Sequence, residues 1–451
     1  MIVSFPHGAA NAPALIVADG TALRYGELSS AFSPWHKLTA TLKGPGVVLL
    51  FADNSLSTVL CYLACLDSPH TLMLADPALN ERAVARILSA FQPDLVVRPP
   101  RALPLPQGYL ATDGANWRRA RTAVIDRGPA LLLMTSGSTG APRVVCLSAD
   151  NLSANADSIG QALAITEADR AITSLPLHYC YGLSVLNSHL SRGASVVLTN
   201  RSPTSRLFLR QLAQTGTTAL AGVPITYQAL WPVLRRQWPA TLRALTQSGG
   251  VLGNVADYAR LAIEHNGRLF VMYGQTEATA RMAVLDTAAH PEAIGSVGRA
   301  VPGGKFELLD SGEIVYQGPN VMLGYADTRA DLTAGDRLGG VLRTGDLGSI
   351  RDGYLYLRGR IKRIAKVAGK RINLDELEST FRRLGTTAVV ESGGAVFVHC
   401  VAELDTAHAL AREVCADLGI PPAYLRIKLV DNVPHSAAGK IDYQALIRES
   451  S

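Results

Sequence analysis

The sequence predicts an α/β protein with a large N-terminal domain and a small α+β domain at its C-terminal end. In the first 130 residues, short apolar runs alternate with stretches of helical spacing, which is typical of α/β layers. From Gly295 onward, glycines become frequent and apolar runs become short, which favours antiparallel β structure. A basic segment at residues 358–371 then precedes a compact stretch of mixed pattern, so we place the domain boundary near Gly359.

The individual elements follow from the same patterns. Unbroken apolar runs predict strands at residues 47–51, 95–97 and 131–134, and helical spacing predicts helices at residues 55–66 and 81–91. The alternation resumes with a helix from about Asn151, strands at residues 171–175 and 194–198, and a helix from about Ser205. Short antiparallel strands are predicted at residues 313–316, 340–344 and 354–357. The basic segment after them contains Arg358, Arg360, Lys362, Arg363, Lys366, Lys370 and Arg371.

Composition limits the class of protein. A chain of 451 residues, of which 48% are apolar, predicts a globular protein of two or three domains. The net charge of +6 is modest at this length, so it favours small anionic ligands and does not demand nucleic acid. The six cysteines form no C-x-x-C pair, which argues against a zinc site or a disulfide framework and fits a reducing cytoplasm. We also expect no signal peptide and no membrane span.

The segment LLLMTSGSTGAPRVV at residues 131–145 carries the clearest chemical signal. Its apolar strand runs directly into Thr135, Ser136, Gly137, Ser138, Thr139 and Gly140. The glycines permit positive φ, so backbone N–H groups can turn inward around a phosphate, and Arg143 adds a cation. Taken alone, the segment is also consistent with a Ser/Gly surface turn. The chain has no Gly-Lys followed by Ser or Thr and no triple-glycine fingerprint, which excludes a Walker loop and weakens a dinucleotide fold.

Four further segments have side chains suited to a nucleotide. YGQTE at residues 273–277 offers a ring, a hydroxyl and a carboxylate at one strand end, although a solvated turn is equally consistent with it. RTGD at residues 343–346 places Asp346 after a predicted tight turn, where a carboxylate can accept from both ribose hydroxyls. Gly359-Arg360 opens the basic segment, and PHSAAGK at residues 434–440 presents a loop lysine. An ordinary hairpin acid and a solvated lysine are the alternatives.

Together these segments give the chain a resemblance to the adenylate-forming superfamily of acyl-CoA synthetases, adenylation domains and beetle luciferases. TSGSTGAPR, YGQTE, RTGDL, GRIKRIAKVAGKRINLDELE and PHSAAGK are similar to its motifs and occur in the family order, with support from YGEL at 25–28 and GPNVMLGY at 318–325. The resemblance implies a domain at residues 1–358 of mixed α/β layers with a small β-barrel-like part. It also implies a hinge at 359–363 and a mobile α+β domain at 364–451.

The resemblance also implies a reaction and roles for residues. A carboxylate would attack the α-phosphorus of ATP to give acyl-AMP and pyrophosphate, and the thiol of CoA or of carrier-protein phosphopantetheine would then displace AMP. The loop residues 135–140 and Arg143 would hold the β,γ-phosphates. Gly249, Gly250, Tyr273 and Gly274 would form the adenine pocket, and Asp346 and Arg360 would bind ribose. Thr276 would contact the α-phosphate, Glu277 would bind Mg²⁺, and Lys440 would bridge carboxylate and phosphate. Lys362 would be the hinge residue and Lys366 the characteristic lysine of the hinge motif.

The same resemblance assigns the acyl pocket to the segments 175–187, 221–227 and 249–251, together with Gln275. The segments contribute His178, Tyr179, Cys180, Gly182, Gly222, Val223 and Val251. Amino-acid-activating relatives place Asp near the position of Gly182, and no acid lies between Pro176 and Leu190, so an α-ammonium would lack its counter-ion. We therefore favour an uncharged fatty or aryl tail, with His178 as a possible gate or an ordinary packed histidine.

Several departures from the family pattern and several functions stay open. Arg143 replaces the usual lysine of the phosphate loop, which keeps the charge and changes the geometry. The cations of the basic segment attract CoA phosphates or an acidic carrier protein, or form a solvated loop. The leading interpretation is an acid–thiol ligase. The alternatives are a stand-alone amino-acid adenylation enzyme, a non-catalytic nucleotide-binding member, and an oxidative luciferase-like enzyme, for which the sequence offers no support.

Overall fold

The computed structural model describes residues 7–100, 103–112, 116–120, 128–134, 144–367, 370–418, 420–436 and 439–450, without the side chains of Lys362, Lys366 and Arg371. The chain divides into two compact units. The first is Met1–Lys305 with Tyr316–Leu342, and the second is Phe306–Val315 with Arg343–Ser451. The predicted hinge at residues 359–363 lies within the second unit, and its function as a pivot stays a prediction.

The first third of the chain contains α1–α3 and β1–β9. The elements are β1 (Pro13–Ile16), β2 (Ala22–Arg24), α1 (Leu28–Thr39), β3 (Val47–Phe51), α2 (Leu56–Leu66), β4 (Thr71–Ala75), α3 (Glu81–Phe91), β5 (Leu95–Val97), β6 (Tyr109–Ala111), β7 (Trp117–Arg119), β8 (Leu131–Met134) and β9 (Val144–Leu147). The predictions for β3, α3 and β5 are confirmed at the residues given above. Helix α2 begins one residue late because the Ser55 hydroxyl accepts from the Thr58 N–H and caps it.

The next stretch alternates regularly. It contains α4 (Ala149–Ala162), β10 (Arg170–Ile172), α5 (Cys180–Leu190), β11 (Ser195–Val197), α6 (Arg206–Gln214), β12 (Ala219–Gly222), α7 (Pro224–Arg236), β13 (Ala244–Gln247), α8 (Val255–Glu264), β14 (Arg268–Tyr273), β15 (Ala283–Asp286) and β16 (Arg299–Ala300). The predicted strand at 171–175 stops at Ile172. Beyond it, the Leu175 carbonyl accepts 3.2 Å from the Asn54 side-chain amide and lies outside any strand ladder.

The remainder holds the short strands and the small α+β part. It contains β17 (Lys305–Leu308), β18 (Glu313–Gln317), β19 (Gly324–Ala326), β20 (Val341–Arg351), β21 (Tyr354–Arg360), β22 (Ile364–Val367), β23 (Lys370–Asn373), α9 (Leu374–Phe381), β24 (Thr387–Ser392), β25 (Ala395–Cys400), α10 (Leu404–Leu418), β26 (Leu425–Leu429) and α11 (Tyr443–Ser450). The predicted antiparallel pairing is confirmed for β20 and β21.

The tight turn predicted at residues 343–346 is wrong. These residues lie inside the eleven-residue strand β20. Its second half pairs with β21, from Asp346 opposite Arg360 to Arg351 opposite Tyr354. Gly345 has φ +70° and a register shift follows between Leu347 and Gly348, so the glycine serves an irregular strand. Asp346 is therefore held by a sheet.

Two large sheets organise the described part of the first unit. One has the order β16-β15-β14-β13-β12-β10-β11-β1-β2, and the other has the order β19-β9-β8-β4-β3-β5-β7-β6. Strands β10 to β14 pair with one another in parallel, and strands β3, β4, β5 and β8 also pair with one another in parallel. Both faces of these strands are covered, which explains why β3 reads VVLLF and is buried throughout. This architecture confirms the predicted α/β fold class.

The second unit has its own core. Strands β24, β25 and β26 form a three-stranded sheet, and apolar residues of α9, α10, β22 and β23 pack with it. All six cysteines of the chain are free thiols and are buried. In the described residues, every helix is too short or too polar to cross a lipid bilayer.

Candidate active site

The carboxyl ends of three adjacent parallel strands bring several predicted site residues to one edge of the sheet. Strand β13 lies between β12 and β14, with Gly222 opposite Gln247 and Gln247 opposite Val271. The strands end at Gly222, Gln247 and Tyr273. The Gly249-Gly250 segment and the YGQTE motif therefore leave the sheet side by side, at the edge where open α/β sheets bind ligands.

The glycines at this edge are required by close packing. A Cβ on Gly222 would lie 2.8 Å from the Tyr227 ring, and Gly249 has φ +85°. The Gln247 side chain donates 2.8 Å to the Gly250 carbonyl and fixes the loop. Beside them, Val223 is buried, whereas Val251 is 62% exposed. Two predicted acyl-pocket valines thus lie in different surroundings.

The YGQTE motif forms a compact turn after β14. Tyr273 is the last residue of the strand and is buried, and a short 3₁₀ helix spans Thr276–Ala278. A Cβ at position 274 would lie 1.7 Å from the Ala280 carbonyl oxygen, so only glycine fits there. The chain turns back on itself here, because the Ala278 and Thr279 N–H groups donate to the Gln275 and Thr276 carbonyls.

Thr276 joins this turn to the predicted acyl segment. Its hydroxyl donates 3.3 Å to the Sγ of Cys180, the first residue of α5. Residues assigned separately to α-phosphate and to acyl binding are therefore neighbours. The N-terminus of an eleven-residue helix also carries a partial positive charge, which favours anionic groups at this point.

Glu277 is positioned by a second motif. The Tyr325 hydroxyl donates 2.7 Å to Glu277 Oε1, and the Met322 N–H donates 2.9 Å to the Glu277 carbonyl. Within the described residues, the Tyr325 hydroxyl is the hydrogen-bond donor to the Glu277 carboxylate. The other lone pairs of the carboxylate can therefore coordinate a cation. Those residues contain no cluster of three or more His, Cys, Asp or Glu. A single carboxylate fits Mg²⁺, which commonly takes one or two carboxylates together with substrate phosphates.

Asn320 holds the turn formed by the YGQTE motif through side-chain hydrogen bonds. Its buried side-chain amide donates to the carbonyls of Ala278 at 2.8 Å and Arg281 at 2.9 Å, and its Oδ1 accepts from the Tyr316 hydroxyl at 2.8 Å. The Thr279 hydroxyl donates 2.6 Å to the Asn320 carbonyl. The GPNVMLGY segment is therefore the support on which the YGQTE turn rests.

Asn320→Ala is expected to lower the free energy of unfolding by about 3 kcal/mol, because two buried carbonyls lose their donor. Urea unfolding of the variant measures this loss directly. Asn11→Ala removes an amide from an exposed position and is the matched control, with an expected change near zero. Equal midpoints for the two variants would contradict the anchoring function of Asn320.

The segment before α5 is fixed by hydrogen bonds and close contacts. The Leu177 N–H donates 3.0 Å to Asn54 Oδ1. A Cβ on Gly182 would lie 2.3 Å from the Pro176 carbonyl oxygen, so Gly182 packs against its own loop and no aspartate fits there. Tyr179 is half-buried, and burial raises the pKa of its phenol. The acyl segment is thus preformed in the protein.

His178 is held on both ring nitrogens. Its Nδ1 lies 3.0 Å from the Ala52 carbonyl oxygen, and its Nε2 lies 3.6 Å from Asp76 Oδ2. Both partners follow strands of the eight-stranded sheet. A side chain oriented in this way fits either a gate or a structural bridge, so its function stays a prediction.

The predicted ribose residues lie in the second unit as a cross-strand pair. The Arg360 Nε donates 3.0 Å to Asp346 Oδ1, and the two residues are directly opposite in the β20–β21 ladder. Asp346 is buried, and its N–H donates 3.1 Å to the Thr344 hydroxyl. The carboxylate therefore has a fixed orientation.

The predicted catalytic lysine lies in the second unit, where hydrogen bonds connect residues on either side of positions 437 and 438. The Ser436 N–H donates 2.7 Å to the Lys440 carbonyl, the Gly439 N–H donates 2.8 Å to the Ser436 carbonyl, and Gly439 has φ +70°. His435 and Ile441 form an antiparallel bridge at its base. Lys440 is half-buried on a defined backbone, in contrast to a lysine on an open loop.

The hinge motif is stabilised by a buried carboxylate. Glu378 accepts from Arg363 and from Arg382, at 3.0 and 2.7 Å, and also from the Tyr443 hydroxyl and the Val389 N–H. The Arg363 guanidinium lies 3.8 Å over the Tyr443 ring. Arg363 of the basic segment is therefore largely buried and paired, so the alternative of a solvated loop does not hold for this residue.

Part of the predicted site lies outside the described residues. This applies to Thr135, Ser136, Gly137, Ser138, Thr139, Gly140 and Arg143, and to the side chains of Lys362 and Lys366. The flanking strands β8 and β9 are antiparallel neighbours, with Met134 opposite Val144. Sequence reasoning gave no individual role to Asn320, Tyr325 or Glu378, although they lie in motifs quoted above, and it missed Arg281. A polar residue inside an apolar stretch, such as Asn320 in GPNVML, is the one signal that pointed to them.

Comparisons with known proteins identify relatives of this chain. The model of the family described as "AMP-binding enzyme" matches residues 7–326. Sulfoacetate–CoA ligase of Cupriavidus necator is 30% identical, over 71% of this chain and 67% of its own length. 2-Succinylbenzoate–CoA ligase of Bacillus subtilis is 27% identical, over 77% and 69%. A solved structure of o-succinylbenzoate CoA synthetase from B. subtilis, in complex with ATP and magnesium, has a TM-score of 0.76 at 21% identity and covers 97% of both chains.

Proposed function

This chain belongs to the AMP-binding enzyme family and is an AMP-forming acid–thiol ligase, and we propose that its substrate is a fatty or aryl carboxylate that is not an amino acid. The observation that supports this most directly is the contact between Thr276 and Cys180. It joins the turn suited to an α-phosphate to the segment suited to an acyl group. A carboxylate bound there lies next to the phosphorus that it must attack.

The proposed reaction brings together two anions, so positively charged or donor groups are needed where they meet. The carboxylate oxygen attacks the α-phosphorus of ATP, the α–β bridging bond breaks, and pyrophosphate leaves with that electron pair. We assign Thr276 and the N-terminus of α5 to the α-phosphate and Lys440 to both reactants. Mg²⁺, held by Glu277 and the phosphates of ATP, supplies charge neutralisation.

The remaining residues are assigned to binding. Adenine binding is assigned to Tyr273, Gly274, Gly249 and Gly250 at the carboxyl edge of the sheet. Binding of the ribose hydroxyls is assigned to Asp346 and Arg360. Residues 135–140 and Arg143 are assigned to the terminal phosphates on their sequence alone. Lys366 is assigned to the second half-reaction, with Lys362 as the pivot.

The substrate class rests on charge. Residues 176–190 contain no acid, and the packing at Gly182 leaves no room to supply one from that position. A buried α-ammonium would therefore be left without its counter-ion, which is costly. We propose CoA as the thiol acceptor, with carrier-protein phosphopantetheine as the alternative, and the cytoplasm as the compartment, because all six thiols are reduced.

ATP–pyrophosphate exchange across a panel of fatty, aryl and amino acids tests the proposal. We expect exchange with fatty or aryl acids and little with amino acids, followed by thioester formation with CoA. Exchange with a free amino acid alone would identify an amino-acid adenylation enzyme. No exchange with any acid, combined with ATP binding, would identify a non-catalytic member.

A further inference from the structure

The first unit contains a cavity that none of the assigned roles uses. Its volume is about 300 Å³, at the small end of the range for ligand pockets. Its floor is formed by short side chains of parallel strands, namely Ala171, Ala219, Ala221 and Ala244, and its wall includes Val185 of α5 and Phe270 of β14. The small side chains of three adjacent strands, β10, β12 and β13, create the space.

The cavity shares an apolar cluster with the predicted acyl pocket. Ala221 and Phe270 belong to one apolar cluster with Val223, and Tyr179 packs against that cluster. Helix α5 starts at Cys180, beside Thr276, and the cavity is lined by its residues Val185, Ser188 and His189. At 1.5 Å per residue, these lie about 7–14 Å along the helix from the site of activation. An acyl tail that starts at Thr276 and follows α5 therefore enters this space.

Arg281 gives the cavity a positive charge. It is 2% exposed, and its guanidinium lies 3.9 Å over the ring of Tyr181. Its Nε contacts the Met272 sulfur at 3.2 Å, which is a weak acceptor. In the described residues, no carboxylate pairs with it, although a buried charge is normally paired. The other arginines of the lining have such partners, since Arg243 pairs with Asp169 and Arg268 with Asp286.

His189 adds a second polar atom without a partner. Its Nδ1 lies 2.8 Å from the Val185 carbonyl oxygen and must donate to it, so Nε2 of the neutral ring is an acceptor. That Nε2 is buried and has no hydrogen-bond partner. Burial also lowers the pKa of His189, which keeps the ring neutral. Three other charged groups take part in ion pairs, namely Arg243 and Asp169 of the lining with each other and Arg268 of the lining with Asp286. Among the described lining residues, Arg281 is therefore the cation that no carboxylate neutralises, and His189 Nε2 is a buried acceptor beside it in the lining.

We propose that the acid activated by this enzyme carries a second oxyanion, such as a carboxylate, at the far end of its tail, and that Arg281 is the specificity-determining residue that binds it. This inference rests on the proposed function and refines it. Residues 176–190 contain no acid, and Asp169 of the cavity lining is already paired with Arg243, so the unpaired charge available to a tail is that of Arg281. The sequence alone favoured an uncharged tail. We replace that prediction with an anionic tail because the burial of Arg281 is visible only in the structure.

The test compares acids of equal length in pyrophosphate exchange. The wild-type enzyme is expected to have a lower KM for glutarate than for pentanoate, and for adipate than for hexanoate, by on the order of 10²-fold. The reason is that only the dicarboxylates form a buried hydrogen bond with the charged Arg281. Arg281→Met should abolish this preference through KM, with a smaller change in kcat, and Arg281→Lys should restore part of it. Arg260→Met, on the exposed face of α8, is the control and should keep the wild-type preference.

The outcomes separate this inference from the function on which it rests. Wild-type exchange that is equal for both acids of each pair, or stronger for the monocarboxylates, overturns the assignment of Arg281 and leaves the ligase intact. No exchange with any acid of the panel overturns the proposed function itself. If Arg281→Met does not fold, the wild-type comparison and Arg281→Lys still decide the question.

Discussion

Lys440→Ala is expected to slow the adenylation half-reaction by on the order of 10²–10³ or more, the usual cost of removing a preorganised donor from developing charge. The carboxylate and the α-phosphate repel each other, and no other side chain is assigned to both. The loop of Lys440 is closed by hydrogen bonds of Ser436, so truncation of the side chain should leave its backbone in place. ATP–pyrophosphate exchange measures the change.

Two controls distinguish a loss of the adenylation step from general damage to the enzyme. Lys43→Ala removes an exposed lysine between α1 and β3 and should retain the wild-type rate. Chemically prepared acyl-adenylate, supplied with CoA, bypasses the first step, so Lys440→Ala should still form thioester from it. A variant within a few-fold of wild type in exchange would remove Lys440 from the mechanism.

The sequence predicted this enzyme best where local patterns determine structure. Strands β3 and β5 are buried apolar runs, and helix α3 combines a 3.6-residue period with an Asn80 cap, so their bounds were confirmed. The YGQTE turn was also placed at a strand end from the apolar run before it. Such features depend on neighbours within a few residues, and periodicity reports them.

The rest depends on contacts between distant parts of the chain. Asn320 donates to Ala278 across 42 residues, and Tyr325 reaches Glu277 across 48. Arginine is usually a surface residue, and only the structure shows that Arg281 is buried, in contact with Tyr181 of α5 and Met272 of β14. Likewise, the sequence pattern at Gly345 is typical of a turn, whereas the residue lies inside β20, a strand between β18 and β21 in their sheet. A single sequence carries no direct signal of these contacts.

Glu277→Gln is expected to reduce exchange by at least 10²-fold at low Mg²⁺, because an amide oxygen is a poor substitute for a charged oxygen ligand of a hard cation. Tyr325→Phe removes only the hydroxyl that donates to Glu277 Oε1, so the carboxylate remains and loses its orientation. Loss of a partner that orients a metal ligand typically costs 10- to 100-fold. The two variants should therefore form a graded series.

Magnesium titration distinguishes metal binding from a structural function. If Glu277 holds Mg²⁺ beside the phosphates, Tyr325→Phe should approach the wild-type rate at high Mg²⁺, and Glu277→Gln should recover in part. Glu264→Gln, at the exposed end of α8, should follow the wild-type titration. Rates for Glu277→Gln that are reduced equally at every Mg²⁺ concentration, with a lowered unfolding midpoint, would instead assign Glu277 to the stability of the turn.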